Sequence, residues 1–167
     1  MEVNAAVEEG LFNVFALLGC AYEVVEHEAV FTIEEALRMV PHVEGIKTKN
    51  VFVRDAKGHR HLLVVVPFDK RIDLAELARV LPSTKLSMGS VERLQKHLGV
   101  TPGAVSIFAV INDPELKVEL IIDEAVWRAS NVQGHPLRNT ATLSISHAAL
   151  DAFLNHVNHA PRVLAVP

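Results

Sequence analysis

Ile46-Lys47-Thr48-Lys49-Asn50-Val51-Phe52-Val53-Arg54-Asp55 is the stretch on which the fold turns. A loop carrying Gly45 leads into an apolar strand at 50–54. Val51 and Val53 face one side of it and Phe52 the other. Asp55-Ala56-Lys57-Gly58 is a hairpin signal, and the apolar run at 61–66 is the strand it returns to. The same stretch carries chemistry. Lys49 and Asn50 lie at the mouth of the strand, where a cation beside an amide suits an anionic ligand such as a phosphate ester. Taken alone, a solvated lysine pair before a strand is the plainer explanation.

Upstream, residues 4–18 read as a helix, with Val7, Leu11, Val14, Phe15 and Leu18 at helical spacing and Gly19 ending it. Tyr22 to Glu26 reads as a short strand. Thr32 and Glu35 form a capping-box pattern that starts a helix, which Pro41 stops. Phe31, just before that cap, could staple the helix or wall a pocket. Downstream, Pro67 to Arg71 is a loop with two positive charges, Lys70 and Arg71. Asp73 and Glu76 cap a helix at 73–81, and Lys85 to Ser87 is a short strand. Ser90 caps a helix at 91–98 that Gly99 ends. Thr101-Pro102-Gly103 opens an apolar strand expected at 105–111. Asn112 to Leu116 then closes a second hairpin onto a strand at 117–122. Residues 130–140 read as a polar loop, 141–145 as a strand, 147–157 as a helix capped by Ser146, and 162–166 as a last strand. The pattern predicts one α+β domain over 1–167, a mixed, largely antiparallel sheet flanked by helices.

The chain has 167 residues, half of them apolar and 22% charged, which suits a globular protein with a sizeable core. Its apolar runs are too short to cross a bilayer, so no membrane association is expected. Cys20 has no disulfide partner, and the first residues lack a basic segment followed by an apolar block. Both point to a cytoplasmic location. The formal charge of −4 argues against coating nucleic acid non-specifically, but not against gripping one nucleic-acid end through a local basic site. His59 and His61 are expected on one strand face, and His156 and His159 on one helix face. Neither pair has a third ligand in the pattern, so neither a metal nor another cofactor is expected.

Three polar loops abut the ends of apolar strands: Lys47 to Asn50, Thr101 to Ser106 with Asn112-Asp113, and Gly134 to Thr142. On one sheet they would converge at a rim, a frequent place for ligands. Gly103 would let backbone approach a ligand closely. His135 could orient a ligand or act as a base, or could simply be satisfied by backbone carbonyls. There is no nucleophile elbow, phosphate loop or dinucleotide fingerprint.

Four blocks carry a resemblance: Lys47-Thr48-Lys49-Asn50-Val51-Phe52-Val53-Arg54-Asp55, Leu98-Gly99-Val100-Thr101-Pro102-Gly103-Ala104-Val105-Ser106, Val110-Ile111-Asn112-Asp113, and His135-Pro136-Leu137-Arg138-Asn139-Thr140-Ala141-Thr142. Together they resemble the YbaK/ProX family, freestanding relatives of the editing insertion domain of bacterial prolyl-tRNA synthetase. The alanyl-tRNA(Pro) deacylase branch is the most similar. The resemblance implies hydrolysis of the ester joining a wrong amino acid to the tRNA 3′ end, with no covalent nucleophile and with a ribose hydroxyl of the tRNA helping to activate water. It implies that Lys49 holds the terminal adenosine and its phosphate, that Asn50 lies beside it, and that amides from Gly103 to Ile107 face the ester. Lys47 would be a rim charge attracting the tRNA end. Phe31, Thr32, Met88, Gly89, Val110 and His135 would wall a small pocket, and Asn112, Pro136 and Asn139 belong to the matching binding segments.

Two departures stand out: Ile107 occupies the place of a frequent proline, and Gly134 that of a frequent aromatic before His-Pro. Alanine is the expected amino acid, with serine, threonine or a small non-protein amino acid as alternatives. The expected partners are the acceptor end of tRNA, most naturally tRNA(Pro), and a prolyl-tRNA synthetase that compensates for a weak intrinsic grip. The contrasting reading is a non-catalytic tRNA- or synthetase-binding module of the same fold, or a small-molecule binder using the same pocket.

Overall fold

The computed structural model describes residues 3–167, with side chains described except at 3–7 and 33; the helical repeat expected at Val7 lies outside the described side chains. The elements run α1 (Val3–Leu17), β1 (Tyr22–Glu26), α2 (Ile33–Met39), β2 (Thr48–Arg54), β3 (His61–Pro67), α3 (Leu74–Val80), β4 (Ser87–Met88), α4 (Val91–Leu98), β5 (Val118–Asp123), α5 (Glu124–Trp127), β6 (Asn131–Gly134), β7 (Ala141–Ser146), α6 (His147–His156) and β8 (Arg162–Leu164). Two 3-10 helices, Pro102–Ala104 and Ile107–Asn112, lie between α4 and β5.

The strands form two sheets. The larger is mixed, in the order β4-β2-β3-β5-β8; the smaller is antiparallel, in the order β1-β7-β6. The β2–β3 hairpin forms as the alternation predicts, pairing Lys49 with Val66 and Arg54 with His61. β5 joins β3 in parallel, and β8 joins β5 in parallel. The fold is therefore α+β with a mixed sheet, as expected.

Strand alternation divides the core between the two faces of the large sheet. Val53, Leu62, Val64, Val66 and Ile121 pack on one face against Leu77, Ala78 and Leu81 around α3. Phe52, Leu63, Val65, Leu120 and Ile122 pack on the other, against α4, the second 3-10 helix, the small sheet and α6. Four local caps form as read: Thr32, Asp73, Ser90 and Ser146 accept hydrogen bonds from the amides of Glu35, Glu76, Arg93 and Ala149.

Four expectations are corrected. The run 105–111 is not a strand. Ser106 Oγ accepts from Phe108 N at 3.2 Å and starts a 3-10 helix whose residues Ile107 to Val110 are wholly buried. A short apolar run between turn signals suits a buried helical segment as well as a strand. With that strand gone, Asn112 to Leu116 closes no hairpin, and β5 arrives parallel to β3. The polar stretch 130–140 contains a strand, β6, paired antiparallel with β7. His159 lies beyond the end of α6, buried against the Asp113 carboxylate at 3.0 Å, so it shares no helix face with His156.

Gly89 follows β4 and lies directly over Phe52: a Cβ there would stand 2.5 Å from the ring. Gly89→Ala is expected to lower unfolding stability by about 1–3 kcal/mol through overpacking. Urea denaturation checks this.

Candidate active site

A seam between the two sheets builds the site. Gly45 adopts φ 114°, and a Cβ there would stand 2.9 Å from the backbone of Asn131, so glycine alone lets the chain press against β6. Ile46 N then donates to Asn131 O at 2.9 Å, and Gln133 N donates to Ile46 O at 3.0 Å, forming a parallel bridge. Thr48 Oγ1 donates to Gln133 O at 2.7 Å. The buried Gln133 amide donates to Val43 O at 2.8 Å and to Gly45 O at 3.0 Å. These bonds set the start of β2 beside the end of β6. A cleft of about 320 Å³ opens there. Lys47, Lys49, Asn50, Gly103 and His135 line it, with Phe31, Leu37, Phe68 and Val105 among its apolar walls.

Lys49 donates through Nζ to the backbone carbonyl of Lys70. An ammonium has three protons, so this bond leaves two for a ligand. The Lys70 loop is itself tied down. Lys70 Nζ meets Asp123 Oδ2 at 2.5 Å, and the Asp123 side chain is only 3% exposed. Asp123 also accepts from Ala125 N at 2.9 Å and Val166 N at 3.1 Å. Burial works against its charged form, but Lys70 and the two amides outweigh burial and hold the carboxyl below its usual range. A buried ion pair thus fixes the loop that aims Lys49.

Asn50 Oδ1 is buried without a hydrogen-bond partner. Such an acceptor inside a cleft is costly unless a ligand donor reaches it. His135 Nδ1 lies 2.8 Å from Ala141 O, so Nδ1 carries the proton and Nε2 is left as an acceptor. Burial pushes this imidazole below its ordinary pKa; the Ala141 carbonyl opposes the shift and nearby His27 adds to it. The His135 carbonyl accepts from Ser106 Oγ at 2.7 Å. Arg138 secures the same loop by pairing with Glu26 at 2.6 Å and Glu8 at 2.9 Å. Gly103 lies where the chain passes closest to two of its neighbours: a Cβ there would stand 3.0 Å from Asn139 Nδ2 and 3.3 Å from the Phe31 ring. Of the amides from 103 to 107, that of Ala104 is committed to Thr101 O at 2.9 Å.

The cleft thus gathers Phe31, Thr32, Lys47, Lys49, Asn50, Gly103 and His135, with Asn139 at its edge. Phe31 is 74% exposed and walls the cleft. Thr32 lines the cleft and caps α2. Pro136 is buried behind His135. Four expected residues lie elsewhere. Met88 is 62% exposed on β4, Gly89 packs on Phe52, and Val110 is buried in the core. The Asn112 amide donates to Leu98 O at 2.8 Å.

A family model for the aminoacyl-tRNA editing domain matches residues 27–153. This chain belongs to that family. The editing domain is 45% identical to the prolyl-tRNA editing protein ProX of Acetoanaerobium sticklandii, over 78% of this chain and 79% of that one. It is 32% identical to the prolyl-tRNA synthetase associated domain-containing protein 1 of Bos taurus, over 98% and 95%. Among solved structures, a protein proposed as a trans-editing enzyme for prolyl tRNA synthetase shares the fold. Its TM-score is 0.68 at 18% identity, covering 96% of each chain. The family expected from the four sequence blocks is the family found, and with it the chain is an aminoacyl-tRNA deacylase, an ester hydrolase acting on tRNA.

The sequence reading did not single out Gln133, Phe68, Lys70 or Asp123 for the site. Lys70 and Asp123 are 53 positions apart, and no local pattern joins them. Only the two charges noted in the 67–71 loop hinted at a role for it.

Lys70→Met should weaken binding of a non-hydrolysable 3′-aminoacyl-adenosine analogue roughly tenfold, because Lys49 loses its aim. Lys70→Arg, which keeps the pair with Asp123, should bind far closer to the parent. Calorimetric titration of both variants tests this.

Proposed function

We propose that the editing domain hydrolyses alanyl-tRNA(Pro), acting in trans. The observation that carries this reading is the cleft itself: a cation, a buried unpartnered amide oxygen and a neutral imidazole within walls that are largely apolar. Lys49 holds the 3′-terminal adenosine and its phosphate with the two protons that Lys70 O leaves free. Asn50 Oδ1 accepts from a donor of the aminoacyl-adenosine, its α-ammonium or a ribose hydroxyl. His135 Nε2, an acceptor at neutral pH, orients a second hydroxyl.

Water adds to the ester carbonyl, with a ribose hydroxyl of the tRNA helping to draw off its proton. The carbon–oxygen bond to the ribose breaks, and the ribose oxygen takes a proton. The products are the free amino acid and the deacylated tRNA. Backbone near Gly103 offers the close approach that oxyanion stabilisation requires. Such a reaction needs no residue-borne nucleophile. Lys47 contributes a rim charge.

Selection rests on size. An apolar pocket excludes a bulkier side chain by sterics far better than it rejects a smaller one, which supports alanine over proline. Polar groups on the walls are largely satisfied internally: Thr48 bonds Gln133 O, Thr142 bonds His27, and both Gln133 donors are taken. The exception, Asn50 Oδ1, favours one second reading, in which it accepts a serine or threonine hydroxyl. Given the net charge of −4, tRNA is held chiefly at its end, and a prolyl-tRNA synthetase would raise the local supply of substrate.

Deacylation of a panel of alanyl-, seryl-, threonyl- and prolyl-tRNA(Pro) tests the reading. Alanyl-tRNA(Pro) should react fastest and prolyl-tRNA(Pro) be spared. Lys49→Ala should lower kcat/KM about a hundredfold or more. If the parent spares every small-residue ester, the substrate reading fails.

A pH profile tests His135. Its depressed pKa means that protonation sets in only below the ordinary 6.5. The kcat/KM of the parent should therefore hold through 6.5 and fall under more acidic conditions, and His135→Gln should lack that acidic limb.

A further inference from the structure

A second, larger cleft of about 570 Å³ opens at the other end of the same hairpin. His59, His61, Arg93, Lys96, His97 and Lys117 line it. Arg54, which pairs with His61, lies four residues along β2 from Asn50, so roughly 13 Å of strand separates the clefts. Asn50, Phe52 and Arg54 alternate onto one face of β2, the face that runs from the Asn50 wall of the first cleft toward the second.

The cations here lack full balance. Arg93 Nη1 donates to His61 Nε2 at 2.9 Å and to Gly58 O at 3.2 Å, neither of them an anion. The His61 and His97 rings lie 4.2 Å apart, and His61 stacks on Phe52. Two carboxylates line the cleft. Asp113 is occupied by the amides of Lys117 and Val118 and by His159. Glu115 is exposed, and no ion pair joins it to Lys96 or Lys117 among the described residues. Burial, His97 and Arg93 lower the His61 pKa to about 4, with Asp55 opposing and Arg54 assisting. His97 is lowered by burial, Lys96, Arg93 and Lys117, against Asp113. Burial first, and the surrounding cations after it, disfavour the charged form of both imidazoles.

We propose that this cleft is a phosphate site that takes a backbone phosphate of the tRNA acceptor arm while the 3′ end occupies the first cleft. The proposal rests on the deacylase reading of the first cleft. Arg93 supplies a planar guanidinium held in place by His61 and Gly58 O, and Lys96 and Lys117 supply mobile ammonium groups from α4 and from the chain before β5. The roughly 13 Å between the clefts corresponds to a few nucleotides of a strand, so a phosphate a few positions from the 3′ terminus comes within reach.

The test uses Lys96→Ala/Lys117→Ala, two exposed positions whose loss leaves the core intact. Binding of uncharged tRNA(Pro) is followed by fluorescence anisotropy across a salt series, so this readout does not depend on hydrolysis. The double variant should bind about three- to tenfold more weakly, with a shallower dependence of log Kd on log salt, by up to about one for each phosphate no longer held. Its hydrolysis of a short aminoacyl-adenosine ester should match the parent, because that substrate cannot reach the second cleft. Equal tRNA affinity and equal salt slope in parent and variant would overturn the proposal. It would also be overturned if inorganic phosphate shifted the His97 ring resonances while tRNA binding stayed unchanged, since the site would then serve a free anion. If the parent failed to hydrolyse any ester yet the variant bound tRNA more weakly, the deacylase reading would fall and the phosphate site would stand.

Discussion

The parallel bridge between Ile46 and Val132 is the constraint on which the site depends. It is a single bridge, yet Gln133 reinforces it from both sides, through its backbone to Ile46 and Thr48 and through its side chain to Val43 and Gly45. A buried amide whose donors and backbone groups are all satisfied fixes register as well as position. Because the bridge sits at the start of β2, it fixes which residues of that strand face β6. One residue of slip would exchange the faces of the Lys49 and Asn50 side chains and undo their arrangement in the cleft. The glycine at 45 makes the bridge sterically possible, so a backbone requirement upstream sets the chemistry downstream.

The parts of the fold legible in the sequence are those set by neighbours in the chain. The β2–β3 hairpin follows from alternation and a turn, and the caps at Thr32, Asp73, Ser90 and Ser146 each span three residues. The parts that were not legible are set by distant partners. Asn131 to Gly134 holds one apolar residue and becomes a strand because β7 and Ile46 pair with it. The run 105–111 is apolar almost throughout, so its pattern is silent on whether it is extended or helical; the Ser106 cap and burial on every side decide for the 3-10 form. In the cleft, Lys49, Asn50, Gly103 and His135 were approached through motif blocks. The Lys70–Asp123 pair behind Lys49 emerges only once α5 and β8 are folded around the carboxylate.

Two polar arrangements around the cleft differ in what burial does to them. Asp123 is buried and stays charged, because Lys70 and two amides stabilise the carboxylate more than burial penalises it. His135 is half-buried and its charged form is disfavoured, because one carbonyl contact does not offset the loss of water. The same low-dielectric surroundings therefore yield a fixed charge behind the lysine and an uncharged acceptor across from it. A cleft assembled this way sets a fixed carboxylate behind its cation and an uncharged hydrogen-bond acceptor on another wall.

The overall charge of −4 sharpens this picture. A polyanion approaching the chain meets no broad attractive field, so long-range steering contributes little and the local clefts must do the selecting. Cations held by hydrogen bonds rather than by carboxylates suit that task. Lys49 rests on a carbonyl, and Arg93 rests on a carbonyl and a neutral imidazole. Each keeps its full charge available to an incoming phosphate, whereas a cation locked to a carboxylate would first have to break that pair.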